Sequence, residues 1–267
     1  MTAVIADGDV LLDIADGVAT LRMNRPDAAN GMSVGFLRSF YEAMMACHRR
    51  PDLRALIISG NGRHFSGGGD VRDFASKGPG LPDYLREVTS WLQVSVSAMI
   101  RLPAPVIAAV DGFAAGGGGF GLVCAADFVL ATERARFLPA ATAVGMAPDA
   151  GTTVTLSRIV GIREAMRIVL TNPRLTAAEA HELGIVTEVV PDAELAKRAL
   201  DLARTLAAGA PKAIAATKRL MWDGVGRSIE DALPDEARTV AELSGTADAR
   251  EGLAAVIERR EPTFTGR

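Results

Sequence analysis

An α/β fold is predicted by three features of the 267-residue sequence. Continuous apolar runs at 53–60 and 105–110 are typical of strands that are buried on both faces of a sheet. Each run is followed by a glycine-rich loop and then by a helical pattern. The composition is 49% apolar and 23% charged, which is ordinary for a globular protein with a sizeable core. The length suits one α/β domain with a helical extension.

The first hundred residues indicate a hairpin and two helices around the first buried strand. Residues 10–24 alternate apolar and polar side chains around an Asp-Gly dipeptide, which favours a tight hairpin turn. Ser33 can cap a helix that runs to about Arg49. The stretch 75–82 contains glycine and proline and is expected to be a flexible connection. A long helix is expected at 82–101.

Short strands and helices are expected to alternate beyond the second glycine loop. A helix of small residues comes first, and two short strands follow it. Pro148-Asp149 is expected to open a helix at about Ala150. Thr176 begins a Thr-Ala-Ala-Glu capping box, which predicts a short helix, and residues 185–190 indicate one more strand.

The pattern changes to helices alone beyond Asp192. Ser228 and Asp248 are expected to start two of these helices, because Ser and Asp are favoured N-cap residues. We therefore predict a core of strand–helix units at 1–191 and a C-terminal helical region at 192–267. Such a region often closes an assembly interface or forms a lid.

Charge and hydropathy exclude two classes of protein. The formal net charge is −3 and no basic cluster is present, which argues against a nucleic acid partner. The long uncharged stretch at 104–126 is interrupted by Asp111 and several glycines, so it is a poor membrane span. The N-terminus carries several aspartates before any apolar run and resembles no signal or transit peptide. A cytoplasmic protein is expected.

The cysteines and histidines indicate neither disulfides nor a metal. Cys47 and Cys124 form no CxxC pair, and this is typical of a reducing, intracellular compartment. His48, His64 and His181 lack the spacing of metal ligands and are expected to be structural or at the surface. We predict no metal site.

Two glycine-rich loops are the strongest candidates for a ligand site. FSGGGD at 65–70 follows the first buried strand, and the glycines at 116–121 follow the second. Glycine lets a backbone approach a ligand closely, and N–H groups at a helix N-terminus can bind a developing negative charge. The two loops could supply two donors to one oxygen. Tight turns without a ligand are the alternative.

A dinucleotide site is a competing interpretation of the second loop. Gly116, Gly118 and Gly121 satisfy G-x-G-x-x-G, and Glu133 lies roughly where a ribose-binding acid would be sought. However, five residues separate the first of these glycines from the preceding strand, whereas the fingerprint should begin at the strand end. The oxyanion interpretation is therefore favoured.

Four segments resemble the enoyl-CoA hydratase/isomerase, or crotonase, superfamily. They are NRPDAANGMS (24–33), ALIISGNGRHFSGGGDVRDF (55–74), PVIAAVDGFAAGGGGFGL (105–122) and REGLAAVIERREPTFTG (250–266). The resemblance covers nearly the whole chain, in order. It implies a crotonase-type spiral of ββα units, a C-terminal helical region that packs into trimers or dimers of trimers, and an acyl-CoA thioester substrate. No separate cofactor is implied, because coenzyme A is part of that substrate.

The resemblance also implies an oxyanion hole for the thioester carbonyl. Its first donor falls on the amide of Gly69. The second falls on Gly118 if the count starts from the following helix, or on Gly117 if it starts from the preceding strand. The loop holds one residue more than the usual pattern, and we favour Gly118 because a turn absorbs an insertion more easily than a helix does.

Further residues are carried over from the family as substrate-binding. In the first loop they are Ser66, Gly67, Gly68 and Asp70. Arg25 matches a position near the CoA moiety. The basic residues Arg259 and Arg260 could also meet CoA phosphates across a subunit interface, although a solvated helix face is the commoner explanation.

The sequence departs from the hydratases at both catalytic carboxylates. Those enzymes carry one Glu just after the glycine loop and another about twenty residues on. Here the first position holds Gly121, or Phe120 in the other register, and the second holds Ala141. Neither side chain can move a proton, so hydration by the usual two-Glu route is not expected.

Asp149 is the remaining candidate acid–base. Its position resembles that of the Asp in some 3-to-2 enoyl-CoA isomerases and in the phenylacetate-pathway epoxide isomerases. A family dehalogenase also has Asp there but needs a His where this chain has Gln93. Without the resemblance, Asp149 would be an ordinary helix N-cap. The apolar residues Val144, Met146 and Ala147 are expected to desolvate it and to raise its proton affinity.

The sequence thus predicts an acyl-CoA isomerase in which Asp149 shifts a proton while two amides hold a thioester dienolate. An enoyl-CoA hydratase in the broad sense is the alternative within enzymes. A non-catalytic acyl-CoA binding protein is the alternative outside them, because both hydratase Glu residues are missing.

Overall fold

Residues 2–267 are described by a computed structural model of the chain. Ten strands form two sheets. The strands are β1 (Thr2–Ile5), β2 (Val10–Ala15), β3 (Val18–Met23), β4 (Ala55–Gly60), β5 (Val106–Val110), β6 (Phe113–Ala115), β7 (Phe128–Thr132), β8 (Arg136–Leu138), β9 (Leu175–Thr176) and β10 (Glu188–Val190).

Eleven α-helices accompany these strands. They are α1 (Val34–His48), α2 (Val71–Ser76), α3 (Leu81–Arg101), α4 (Leu122–Ala125), α5 (Thr152–Val160), α6 (Ile162–Thr171), α7 (Ala177–Glu182), α8 (Leu195–Ala208), α9 (Pro211–Gly224), α10 (Ile229–Ser244) and α11 (Ala247–Glu258). A π-helical turn at Gly117–Gly121 leads directly into α4.

The larger sheet has the strand order β1-β2-β3-β4-β5-β7-β10. Strands β1 to β3 pair antiparallel, whereas β3, β4, β5, β7 and β10 pair parallel. The predicted hairpin is confirmed: Asp16 and Gly17, both with positive φ, turn β2 into β3. The smaller sheet has the order β6-β8-β9. Because β6 comes only two residues after β5, the second glycine loop begins where the two sheets meet.

The core lies on both faces of the larger sheet. On one face, α1 contributes fully buried aromatic and sulfur side chains, among them Phe36, Phe40 and Met44. On the other face, Ala199 and Ala203 of α8 pack against buried strand residues. The first helix after the predicted boundary thus covers the core sheet. The division at 191/192 stays a prediction, and the helices that follow α8 begin at Pro211.

Most predicted helix starts are confirmed by their caps. The hydroxyl of Ser33 accepts the N–H of Phe36, and that of Ser228 accepts the N–H of Asp231. Thr176 forms the predicted capping box with Glu179. These caps satisfy N–H groups that have no acceptor within the helix.

Two local predictions were wrong, and a third was displaced by two residues. The helix expected at about Ala150 is present but begins at Thr152, because Ala150 and Gly151 both have positive φ and form a turn first. The last helix is capped by Thr246, whereas buried Asp248 accepts the N–H groups of Thr265 and Gly266. The flexible connection at 75–82 is partly helical, with the end of α2 and a short 3-10 turn.

Cys47 and Cys124 are buried free thiols, and burial raises the pKa of each to about 12. Among residues 2–267, no group of three or more His, Cys, Asp or Glu residues is arranged to hold a metal ion. No helix in the same range combines the length and the apolar character that crossing a membrane requires.

Candidate functional site

The two glycine loops lie side by side. The N–H of Ser66 donates to the carbonyl of Phe113 at 3.0 Å, and the N–H of Ala115 donates to the carbonyl of Ser66 at 2.9 Å. Gly68 has φ +92° and lies so close to the second loop that a Cβ there would be 2.7 Å from the Ala115 oxygen. Only glycine fits this contact. The carboxyl ends of the neighbouring strands β4 and β5 therefore bring both loops to one place.

The two predicted amide donors have no hydrogen-bond partner among residues 2–267. Among the described residues, no hydrogen-bond acceptor is found for the N–H of Gly69. Gly118 lies in the first turn of its helix, where an N–H has no intrahelical acceptor, and none is found outside the helix in residues 2–267. Gly117 shares this turn, so the geometry keeps both residues open as the second donor. A Cβ at Gly69 would enter the ring of Phe74, at 2.4 Å.

Asp149 reaches the second loop. A Cβ built on Gly117 would lie 1.4 Å from Oδ1 of Asp149 and 2.5 Å from its Cγ. The carboxylate therefore rests against the bare Cα of Gly117, and a side chain of any size there would displace it. The structure thus brings together the three groups that the sequence singles out: two amides and one carboxylate.

The side chain of Asp149 is not used as a helix cap. Gly151 is the N-cap of α5, and no side chain caps this helix. Only the main-chain carbonyl of Asp149 takes part, accepting the N–H of Thr152 at 2.9 Å. The turn at Ala150 and Gly151 separates Asp149 from the helix and leaves its carboxylate free for other contacts.

A cavity of about 460 Å³ opens beside Asp149 and is bounded by one face of α3, including Gln93, Val96 and Ile100. Burial raises the pKa of Asp149, and no charged neighbour contributes to this shift. Two of the three residues predicted to desolvate Asp149 are exposed, and the third, Met146, is half-buried. Val144 is 58% exposed, and Ala147 is also exposed. Both lie on the solvent side of the turn at 142–147.

An ion pair between Arg25 and Asp70 links the first loop to the segment before α1. Arg25 Nη2 donates to Asp70 Oδ2 at 3.0 Å, and Arg25 Nη1 donates to the carbonyl of Gly31. Asp70 also caps α2 through the N–H of Asp73. Both predicted substrate-binding residues are therefore occupied by contacts within the protein, although their side chains remain partly exposed.

Ser66 does not fit its predicted contact with the substrate. It is fully buried, its hydroxyl donates to the carbonyl of Asn30 at 3.0 Å, and it accepts the N–H of Gly68 at 3.1 Å. Its hydrogen bonds shape the loop from within. Gly67, in contrast, is exposed, and its N–H donates to the carbonyl of Ala29 at 2.7 Å.

Asn30 is a residue that reasoning from the sequence missed. It is fully buried with φ +52°, and its Nδ2 donates to the carbonyls of Asn61, His64 and Phe65. Its Oδ1 accepts the N–H of Arg25 at 2.8 Å. The side-chain amide of Asn30 thus holds the start of the first glycine loop in place. The presence of an Asn inside the 24–33 motif was the one sequence feature that could have indicated this role.

Neither position at which the hydratases carry a catalytic Glu has a carboxylate in this chain, and neighbouring residues fill the space next to the first of them. A Cβ on Gly121 would lie 2.6 Å from Ala150 Cβ and 2.9 Å from Thr152 Oγ1. In the alternative register, Phe120 is fully buried in the core. Ala141 precedes a 3-10 turn and carries no polar group. The segment that follows Asp149 thus packs where a Glu side chain on Gly121 would start.

We expect the substitution Gly121→Ala to lower the free energy of unfolding by about 1–3 kcal/mol, since the added methyl overpacks this contact. Gly121 already has helical φ and ψ, so the effect is steric. Urea denaturation measures it. The matched control is Gly35→Ala in α1, where the nearest atom to the new Cβ would be Ser33 Oγ at 4.0 Å. That change should be neutral or stabilising. Equal stability of the two variants would contradict the prediction.

The histidines and the C-terminal arginine have structural roles. His64 Nδ1 accepts the N–H of Phe113, and ring nitrogens of His48 and His181 pair with the carbonyls of Ala98 and Val186.

The guanidinium of Arg260, near the C-terminus, forms ion pairs with Glu251 and Glu258. Its charge is balanced within the chain, which agrees with a solvated helix face.

The family model described as enoyl-CoA hydratase/isomerase matches residues 13–267. A protein of Rhodobacter capsulatus named probable enoyl-CoA hydratase is 38% identical over 96% of this chain and 97% of its own length. The 1,2-epoxyphenylacetyl-CoA isomerase of Escherichia coli K12 is 34% identical over 97% of this chain and 98% of its own length.

Solved structures agree with these relatives. An enoyl-CoA hydratase from Bacillus anthracis superposes with a TM-score of 0.92 at 29% identity, covering 97% of this chain and all of the other. The predicted crotonase-type α/β fold with C-terminal helices is thereby confirmed. The chain belongs to the enoyl-CoA hydratase/isomerase family.

Proposed function

We propose that the protein is an acyl-CoA isomerase in which Asp149 carries a proton between two carbons of a thioester substrate. The observation that carries this proposal is the contact of the Asp149 carboxylate with Gly117, inside the turn that supplies the second amide donor. A base at this place would face the carbons next to a carbonyl held by the amides of Gly69 and Gly118.

The mechanism follows from these three groups. The two N–H groups donate to the thioester oxygen and stabilise the negative charge that develops on it. Asp149 takes a proton from a carbon conjugated to the carbonyl, which leaves a dienolate. The carboxylic acid then returns the proton to another carbon, and the double bond has moved. One base moving one proton balances the reaction, and neither water nor a cofactor is consumed.

Two observations favour isomerisation over hydration. Hydration requires an activated water and a proton donor, and the family's two Glu positions for these roles hold Gly121 and Ala141. In addition, two of the relatives bear isomerase names, the Escherichia coli protein and the trans-2-decenoyl-[acyl-carrier-protein] isomerase of Streptococcus mutans. The hydratase name of the Rhodobacter relative supports the alternative, and product analysis distinguishes the two activities.

The experiment offers the purified protein 3-hexenoyl-CoA and 2-hexenoyl-CoA in deuterium oxide and identifies the products by mass spectrometry. We expect the two isomers to interconvert, with deuterium incorporated when the proton on Asp149 exchanges with solvent. A 3-hydroxyacyl-CoA product would identify a hydratase. Tight binding of both thioesters without turnover would identify a binding protein.

The pH dependence of the reaction follows from the raised pKa of Asp149. The base must be ionised to accept a proton, so kcat/KM should rise with pH through this pKa. Because burial disfavours the carboxylate, we expect the midpoint to lie above about 3.9, the ordinary value of an Asp side chain. A rate profile across the acidic range measures it. A flat profile down to pH 4 would contradict the assignment.

We also propose a homotrimer or a dimer of trimers, acting in acyl-CoA and fatty acid metabolism. The last three helices, together with the C-cap residue of α9, expose large apolar side chains that a partner surface would cover: Met221, Val225, Ile229, Leu233, Val240, Leu253, Val256 and Ile257. Light scattering on the purified protein measures the stoichiometry. The cytoplasmic location stays a prediction.

A further inference from the structure

The cavity beside Asp149 is bordered by a row of polar side chains on α3. Thr89, Gln93, Ser97 and Arg101 follow one another at intervals of four residues, and all four line the cavity. Residues four apart lie on one face of a helix, about 6 Å further along its axis. The row from Gln93 to Arg101 therefore extends for about 12 Å along the cavity wall.

Three members of this row have no partner within the protein. Thr89 donates its hydroxyl to the carbonyl of Leu85, one turn back, as serines elsewhere on α3 also do. For the side chains of Gln93, Ser97 and Arg101, no hydrogen bond or ion pair is found to any other residue of the described chain. An amide, a hydroxyl and a guanidinium are thus free to contact a ligand in the cavity.

Arg101 and Asp149 line the same cavity, and the charge of Arg101 does not contribute to the raised pKa of Asp149. Two other arginines near α3 are neutralised by carboxylates: Arg38 pairs with Glu87 at 2.6 Å, and Arg86 pairs with Asp83. The cavity thus has a proton-accepting group at one position and an unpaired cation at another.

This arrangement offers more contacts to a polar acyl group than to an entirely apolar chain. The side chains of Gln93, Ser97 and Arg101 are exposed to solvent, so an apolar fatty acyl group in the cavity would gain no hydrogen bond from them. An acyl group that ends in a carboxylate would meet the guanidinium of Arg101, whose planar fork matches carboxylate geometry. Gln93 and Ser97 would then donate to oxygen atoms of the same acyl group.

We propose that the substrate is the CoA thioester of a dicarboxylic acid, with its distal carboxylate bound by Arg101. This inference rests on the proposed function, because it places the acyl group in the cavity that Asp149 faces. It assigns a specificity role to Arg101 and supporting contacts to Gln93 and Ser97.

The test compares the binding of adipyl-CoA and hexanoyl-CoA, which have acyl chains of equal length and differ in the distal carboxylate. Both are saturated, so calorimetry measures affinity without turnover. We expect adipyl-CoA to bind at least about tenfold more tightly, the effect of one charge-assisted contact. Arg101→Gln should remove this difference and leave hexanoyl-CoA unaffected, whereas Arg101→Lys should keep part of it.

The control is Arg163→Gln on α6, an exposed arginine that does not line the cavity. It should leave both affinities unchanged. Equal binding of the two thioesters by the unaltered protein would overturn the proposal. So would an equal loss for both thioesters in Arg101→Gln, since Arg101 would then contact the CoA portion. Failure of the proposed function would appear differently, as absence of turnover with unsaturated thioesters despite a preserved preference for the diacid.

Discussion

Replacing Asp149 with Asn should lower kcat/KM for isomerisation by about 10³-fold, the usual contribution of a positioned acid–base group. Asn has nearly the same size as Asp, so it can occupy the same space against Gly117. It cannot accept and return the proton that the reaction moves. The two amide donors are unaffected, and the variant should therefore bind thioesters as the unaltered protein does.

The effect is measured from initial rates with 3-hexenoyl-CoA, together with calorimetric binding of hexanoyl-CoA. Glu133→Gln is a suitable control, because Glu133 is an exposed carboxylate outside the cavity. Isomerisation at an unchanged rate in Asp149→Asn would refute the proposed mechanism. Loss of thioester binding in the same variant would show that the substitution disturbed the site and did not only remove the base.

Stability provides a second check on Asp149→Asn. The folded-state pKa of Asp149 is raised, so its contribution to stability is greatest below the unfolded pKa and is lost as pH rises through the folded pKa. At neutral pH the unaltered protein thus holds a carboxylate that burial disfavours. The Asn variant should have an equal or higher melting temperature there. Lost activity in a variant of undiminished stability is then a chemical effect.

The meeting of the two glycine loops could be predicted from the sequence. Each loop follows a buried apolar strand, and the carboxyl ends of adjacent parallel strands lie at the same edge of a sheet. The helix caps at Ser33 and Thr176 are likewise local signals that involve residues only three apart. Such features need no knowledge of the tertiary structure.

The contact between Asp149 and Gly117 could not be predicted in the same way. It joins residues 32 positions apart through a turn in which Ala150, a non-glycine residue, has positive φ. No periodicity encodes that turn, and sequence rules placed a helix start at Ala150 instead. The role of Asn30 depends on carbonyls more than thirty residues away and was missed for the same reason.

Gly117→Ala should reduce kcat/KM by about 10²-fold, although neither its side chain nor its backbone takes part in proton transfer. The new Cβ would lie 1.4 Å from Asp149 Oδ1, so the carboxylate must move by about 2 Å to restore ordinary contact. A displacement of this size is enough to cost about two orders of magnitude in rate. Gly117 does not have positive φ, so Ala can adopt its backbone conformation and the amide N–H is retained.

Steady-state kinetics and thermal unfolding test this expectation. Gly224→Ala is the matched control, since a Cβ at Gly224 would have no atom within 4 Å and the residue has no positive φ. The decisive measurement is the double variant Gly117→Ala/Asp149→Asn. If the methyl acts by moving the carboxylate, it should cost little once the carboxylate has gone, and the two effects should be strongly non-additive. Full additivity would mean that Gly117 acts elsewhere, for example through its amide in the oxyanion hole.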